Sequence, residues 1–256
     1  MKKFNLFLII TVLTSTLFPS LLLASSNNDK EPYICMKPKT KFTYTIAMKD
    51  KPDIEYIEYI TKVTGDKNNG RVYIEESNNN KATNVFFDLH NGDVIYNFAE
   101  ITKALMLDQC EKEARKIAAE EAPKNNMTEE EYCNEAMFQM EKIINITGNP
   151  CIYPLNMAPG TMLEDSKMKL KAYIVSIQSS ITEREILGEE KINTPAGTFD
   201  CLKIKEKHFS KVSMKKNTHY TIKWYVRGIG IVKEEKYDKH NQLTETQILK
   251  EIKFAN

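Results

Sequence analysis

The sequence predicts a mainly β protein: a single, highly curved antiparallel sheet or half-barrel with one helical hairpin inserted in it. Three observations lead there. Apolar and polar residues alternate with a period of two from about residue 41 to 98 and again from about 170 to the end. Turn residues such as Asn91-Gly92 and Pro159-Gly160 punctuate these stretches. Between them, about residues 99–146, the apolar spacing becomes helical.

At the N-terminus, Lys2 and Lys3 precede an apolar run from Phe4 to Leu23 that Thr11, Thr14, Ser15, Thr16, Pro19 and Ser20 interrupt. This reads as a signal peptide rather than a membrane span. Cleavage is expected after Ala24 or Ser26, leaving one exported β-rich domain over 27–256. The first cysteine is Cys35, too far from the small residues to form a lipidation site, so a periplasmic or secreted protein without a lipid anchor is expected. No later apolar stretch is long enough for a membrane-spanning helix.

The first strand places Phe42, Tyr44, Ile46 and Met48 on one face, and Tyr56 and Ile60 mark the second. After the polar turn from Gly65 to Gly70, a third strand begins at Val72 and Ile74, and a fourth runs from Val85 to Leu89. Asn91-Gly92 signals a hairpin into a fifth, Val94 to Phe98. Ile101, Leu105, Ala114, Ile117 and Ala118 then form the stripe of a helix ending near Pro123. Thr128 followed by Glu131 is a capping box for a second, with Tyr132, Ala136, Met140, Ile143 and Ile144 as its apolar side. Strands resume at 170–177, 181–187, 199–204 and 220–226, and the last quarter alternates through Ile231, Val232 and 243–254, for eight to eleven short strands in all.

Five cysteines, Cys35, Cys110, Cys133, Cys151 and Cys201, are an odd number in a compartment that permits disulfides. Cys110 and Cys133 lie on or beside the helical stripes, so an antiparallel hairpin would let them pair, with Cys151 and Cys35 as competing partners. No CxxC pair or closely spaced histidine pair indicates a metal site, and no cofactor motif is present.

Two motifs stand out toward the C-terminus: Thr194-Pro195-Ala196-Gly197-Thr198-Phe199-Asp200-Cys201, then Trp224-Tyr225-Val226-Arg227-Gly228-Ile229-Gly230-Ile231-Val232-Lys233. Over about 150–250 the chain resembles the TapB-like family of uncharacterised exported proteins of Bacteroidetes, which has a related domain of unknown function across Gram-negative periplasms. The resemblance implies a curved sheet similar to the periplasmic lipoprotein carriers LolA and LolB and carries no established activity. Physically, Pro195 and Gly197 suit a tight turn, and Gly228 and Gly230 suit a bend between two strands.

Catalytic candidates are weak. Cys201 with His208 or His219 as base has the composition of a cysteine hydrolase site, but Cys201 sits in an alternating strand, where a buried structural thiol is the commoner state. His90, His208, His219 and His240 are scattered along the chain. Glu129–Glu131, Glu189-Glu190 and Glu234-Glu235 read as solvated faces. Trp224 and Tyr225 occupy opposite faces of one strand, and whichever ring faces inward is a ligand-binding candidate, with packing the commoner role. Lys and Arg total 36 against 35 acids, a balance that offers no global field to attract nucleic acid or an anionic membrane. The expectation is a non-enzymatic binding protein that holds an apolar or amphipathic envelope ligand, such as a lipid, in the concave sheet. The alternative is an interaction module that docks on an envelope protein by strand addition.

Overall fold

The computed structural model describes residues 31–78, 81–172 and 175–255, so the signal-peptide reading falls outside the described residues. Its N-terminal strands are β1 (Lys41–Met48), β2 (Ile54–Gly65), β3 (Asn69–Asn78), β4 (Lys81–His90) and β5 (Asp93–Tyr96). The helices α1 (Phe98–Glu121) and α2 (Glu129–Ile143) follow, then β6 (Asn145–Asn149), β7 (Cys151–Tyr153) and the short β8 (Met162–Leu163). The chain ends with β9 (Ser166–Ala172), β10 (Val175–Thr194), β11 (Gly197–Val212), β12 (Lys215–Val226), β13 (Gly230–Asp238) and β14 (Leu243–Lys253).

All the strands join one antiparallel sheet in the order β6-β9-β10-β11-β12-β13-β14-β1-β2-β3-β4-β5-β7, with β8 beside β10. Pairing of β14 with β1 unites the N- and C-terminal strand sets. The sheet winds into a nearly closed barrel. Its two ends, β6 and β7, are consecutive in the chain and separated only by Pro150. Proline has no N–H to give to a ladder, so it suits the point where the chain leaves one edge and enters the other. Helix α1 touches β6 and β9 from one end of the sheet and β4 near the other, and so covers this seam.

Local chemistry explains the elements. Asn91 and Gly92 both take positive φ, 52° and 82°, as a two-residue hairpin of this hand requires. Gly92 is further restricted because a Cβ there would lie 2.8 Å from the Leu155 side chain. Asn97 caps α1 by accepting from the Glu100 N–H, and Thr128 and Glu131 form the expected reciprocal box on α2. Pro195-Ala196 is the tight turn between β10 and β11, and the Gly228–Gly230 bend lies beside a bulge at Trp224/Tyr225.

Strand boundaries differ from the sequence reading in several places. The expected strands 170–177 and 181–187 are instead β9, ending at Ala172, and a single 20-residue β10, beginning at Val175. The sequence between those two residues, Tyr-Ile, carries no turn residue for a pattern reading to find. The interruption near 182–188 is a pair of bulges, one on each side of Glu185–Ile186, which bend the strand without ending it. Phe98 opens α1 rather than closing β5, and Ile117 is exposed; the buried stripe runs through Ile101, Met106, Cys110, Ala114 and Ala118.

The barrel core is built from inward residues of successive strands, among them Phe42, Tyr44, Ile60, Ile74, Phe87, Ile186, Ile204, Tyr225 and Leu249. Fully burying each such side chain contributes about 1.5–3 kcal/mol. A small second cluster, Ala114, Ala118 and Cys133, holds the two helices together.

The disulfide expectation is corrected: Cys35, Cys110, Cys133, Cys151 and Cys201 are all free and buried. Cys133 packs level with Ala114 and Ala118, whereas Cys110 lies at least a helical turn back in the barrel core. Cys151 sits on β7, and the Cys35 thiol donates to the Thr40 hydroxyl at 3.7 Å.

Candidate functional site

Alternation along β11 and β12 turns Glu206, His208, His219, Thr221, Lys223 and Tyr225 into the barrel. The first bulge of β10 turns Arg184 in beside them, at 0% exposure. Arg184 Nε donates to Glu206 Oε1 at 2.9 Å, Nη1 to the Glu164 carbonyl at 2.8 Å and Nη2 to the Ile152 carbonyl at 3.0 Å. Lys223 Nζ lies 3.0 Å from Glu206 Oε2, and the Tyr153 hydroxyl donates to Glu206 Oε1 at 3.1 Å. The Arg184 guanidinium also lies over the Tyr153 ring, 4.7 Å from its centre.

Burial alone would push the Glu206 carboxyl up, but Lys223 and Arg184 overcome it and hold the group well below the usual carboxylate range. Burial likewise opposes the charge on Lys223, and the Glu206 carboxylate reverses the effect, leaving the ammonium firmly protonated. His208 and His219, opposite one another on β11 and β12, stack with ring centres 4.9 Å apart and planes 4° apart. Burial and then the Lys223 charge push His208 well down; burial, Lys236 and Lys223 push His219 down to about 3. Both rings are neutral at physiological pH.

This cluster offers no route to chemistry. Arg184 and Glu206 are fully enclosed, and the guanidinium is spent on a carboxylate and two backbone carbonyls. Those carbonyls belong to β7 and to the segment entering β9, so Arg184, from β10, ties β7 at one end of the sheet to the strands near the other end. A second polar group lies in the N-terminal strands, where Glu58 of β2 and Glu76 of β3 face each other directly and are both buried. Tyr56 hydrogen-bonds to both. Burial raises the Glu76 carboxyl to about 8, against the opposing effect of the Tyr56 hydroxyl.

A solvent-open groove of about 430 Å³ runs between α1 and β2–β4. Its apolar wall is Ile74, Val85, Phe86, Tyr73, Ala104 and Leu105, while Lys62, Asp108, Gln109 and Lys112 form its polar rim. Tyr73 and Phe86 lean together with ring centres 6.4 Å apart, and the Lys62 ammonium lies 5.6 Å from the Tyr73 ring. A shallower depression at the bend of the helical hairpin is lined by Met127, Glu131, Phe138 and neighbouring polar residues.

Trp224 and Tyr225 do face opposite ways. Tyr225 points into the barrel, against Tyr153 at 5.1 Å and Tyr33 at 6.3 Å between ring centres. Trp224 lies on the outer face, where Lys203 and Lys233 cover its ring and its Nε1–H donates to Glu190 at 2.9 Å. The histidines are less scattered than the sequence suggests, because antiparallel pairing brings His208 and His219 together. Cys201 is seven residues from His208 along one strand, about 23 Å. Burial raises its thiol to about 12, so it is neither near a base nor a thiolate. Glu234 is also a correction: burial raises its carboxyl, while its neighbour Glu235 faces out and pairs with Lys233.

Sequence reasoning missed Arg184, Glu206, Lys223, Glu58 and Glu76. The available signal was phase: Glu58 falls between Tyr56 and Ile60, and Glu206 follows Ile204, each in step with the apolar face of its strand. Arg184 had no such signal, since a bulge sets its direction. Among the described residues there is no group of three or more His, Cys, Asp or Glu arranged to hold a metal, and no helix long and apolar enough to cross a membrane.

Two solved structures share this architecture. One is described as an exported protein with a YmcC-like fold from Bacteroides fragilis: 16% identical, TM-score 0.56, covering 92% of this chain and all of that one. The other is a candidate lipoprotein from Parabacteroides distasonis: 19% identical, TM-score 0.60, covering 88% of this chain and all of that one. At these identities the likeness establishes the fold. No protein of curated function matches the sequence. A family model described as DUF3108-like matches residues 99–249, from the start of α1 into β14. This span takes in both C-terminal motifs and the Arg184–Glu206–Lys223 cluster, whereas the TapB-like name rests on the motifs alone. The chain belongs to the DUF3108-like family.

Proposed function

We propose that the protein is a non-enzymatic, exported binding protein of the cell envelope and that an apolar or amphipathic ligand occupies the groove between α1 and β2–β4. One observation carries this reading: the groove has an apolar wall, a partly cationic rim and a volume of about 430 Å³, within the usual size range of small-molecule sites. The concave interior, the place the sequence suggested, is occupied by the protein's own Tyr44, Tyr153, Arg184 and Tyr225. Buried thiols and neutral, enclosed histidines support a non-catalytic role. Export is supported by the signal-peptide pattern of residues 1–26 and by the descriptions of the two structural relatives.

The test is native mass spectrometry of the protein purified from its own host, followed by organic extraction. A discrete bound mass that disappears in an Ala104→Trp variant, which fills the groove, supports the reading. A bare mass for the wild type overturns it. If the bare protein instead travels with a protein partner, a role as an interaction module replaces it. Phe138, 52% exposed beside Met127 at the hairpin bend, favours that second reading.

A further inference from the structure

The β11–β12 hairpin turns at Ser213 and Met214, with Ser213 in the left-handed region at φ 54°. Met214 is 91% exposed, more than any other large hydrophobic side chain among the described residues. Lysines surround it. Lys211 and Lys216 are directly opposite each other on the two strands, and Lys215 is opposite Val212. The Ser213 N–H donates to the Ser176 carbonyl at 2.9 Å, which sets the tip beside the β9–β10 ladder. There Lys171 pairs with Ser176, and Lys169 pairs with Gln178, itself opposite Lys211. Residues directly opposite share a face of the sheet, so Lys169, Gln178, Lys211 and Lys216 form one row across β9–β12, about 14 Å wide.

Among the described residues, none of Lys169, Lys171, Lys211, Lys215 and Lys216 forms an ion pair. Farther along the outer face of β11, Lys203 and Lys207 are neutralised by Glu190 and Glu183. A like-charge pair directly across two strands, such as Lys211 and Lys216, is destabilising in the protein alone. An exposed methionine at the same tip adds nothing to the core. Both features become favourable against one kind of surface, which supplies anionic groups at its rim and an apolar layer just beneath.

We infer that the β11–β12 tip docks onto a membrane bearing anionic lipid headgroups, with Met214 entering the interfacial layer and the lysine row lying on the phosphates. The single methionine distinguishes this partner from a soluble polyanion, which offers nothing apolar to meet it. The inference goes beyond the groove and does not depend on whether the groove is filled.

The experiment is vesicle co-sedimentation of the full chain purified from its host, with phosphatidylglycerol/phosphatidylethanolamine vesicles against phosphatidylcholine vesicles at low and high salt. Binding is expected to anionic vesicles, weakened by salt, and reduced about tenfold or more by Lys211→Glu with Lys216→Glu. Met214→Ser weakens it several-fold with the charges intact. Both variants lie on exposed positions, and unchanged circular dichroism melts establish that they fold. Equal binding to neutral vesicles, or no loss in the lysine variant, overturns the inference. Charge-dependent binding that Met214→Ser leaves untouched also overturns it and reassigns the tip to a soluble polyanion. The groove-filling Ala104→Trp protein retains vesicle binding, which separates this outcome from failure of the ligand reading.

Discussion

The two halves of the barrel bury charge in opposite ways. In β10–β12, two cations converge on one carboxylate, and Glu206 is held ionised by Lys223 and Arg184. In β2–β3, two carboxyl groups face each other with a tyrosine, and burial keeps Glu76 protonated to about pH 8. Counter-ions hold the Glu206 charge in the first cluster, with one cation in excess, whereas proton uptake at Glu76 relieves the second. The lesson is that a buried charge needs a partner or a proton, and which one it has decides how the region responds to pH and to mutation.

The comparison can be broken most forcefully at Arg184. Arg184→Met leaves Glu206 with one counter-ion and strips the two carbonyls of their donors, so urea denaturation should show a loss of about 3–5 kcal/mol. Adding Glu206→Gln should deepen that loss, since it removes the carboxylate that still pairs with Lys223 and leaves a buried ammonium without its counter-ion. If the single variant matches the wild type, the cluster is not a clasp.

The next largest effect is expected at Glu76. Its folded-state pKa of about 8 lies above the ordinary 4.5, so the stabilising contribution is present at low pH and lost as pH rises from about 4.5 through 8. Glu76→Gln should flatten this decline and be more stable than wild type at pH 8.5 by on the order of 3 kcal/mol. A pH profile that the substitution leaves unchanged would show that the carboxyl pair titrates normally.

The histidine stack has the opposite sign. His219 is lowered from 6.5 to about 3, so its contribution is complete above about pH 6.5 and lost as pH falls toward 3. His219→Phe should keep the stacked contact and gain roughly 1–2 kcal/mol over wild type at pH 5, with little difference at pH 8. Smallest is Thr128→Ala, outside both clusters: loss of the cap on α2 should cost about 1 kcal/mol locally. Hydrogen exchange should quicken in α2 while the barrel strands stay protected.

The fold was legible wherever one face of an element is apolar and its ends carry turn or cap residues. The Asn91-Gly92 hairpin, the Thr128 box and the Pro195 turn are local devices and could be read directly. The seam could not, because it depends on β6 and β7 pairing with β9 and β5 and on a guanidinium aimed by a bulge. The groove was equally hidden, since it exists only where α1 passes β2–β4. Trp224 drew attention by its rarity, yet its ring is capped by Lys203 and Lys233, while the buried Glu58 and Glu206 drew none.

Pro150 gives the barrel one further property. A sheet end is normally a template for any passing strand, and this molecule has two of them. A tether of one residue keeps β6 and β7 at a high effective concentration relative to each other, far above that of a second molecule in solution. The β6 edge therefore reaches its covered position beside α1 before it can recruit a neighbour, and a single proteolytic nick at Pro150 would leave two untethered sheet ends able to pair with other strands.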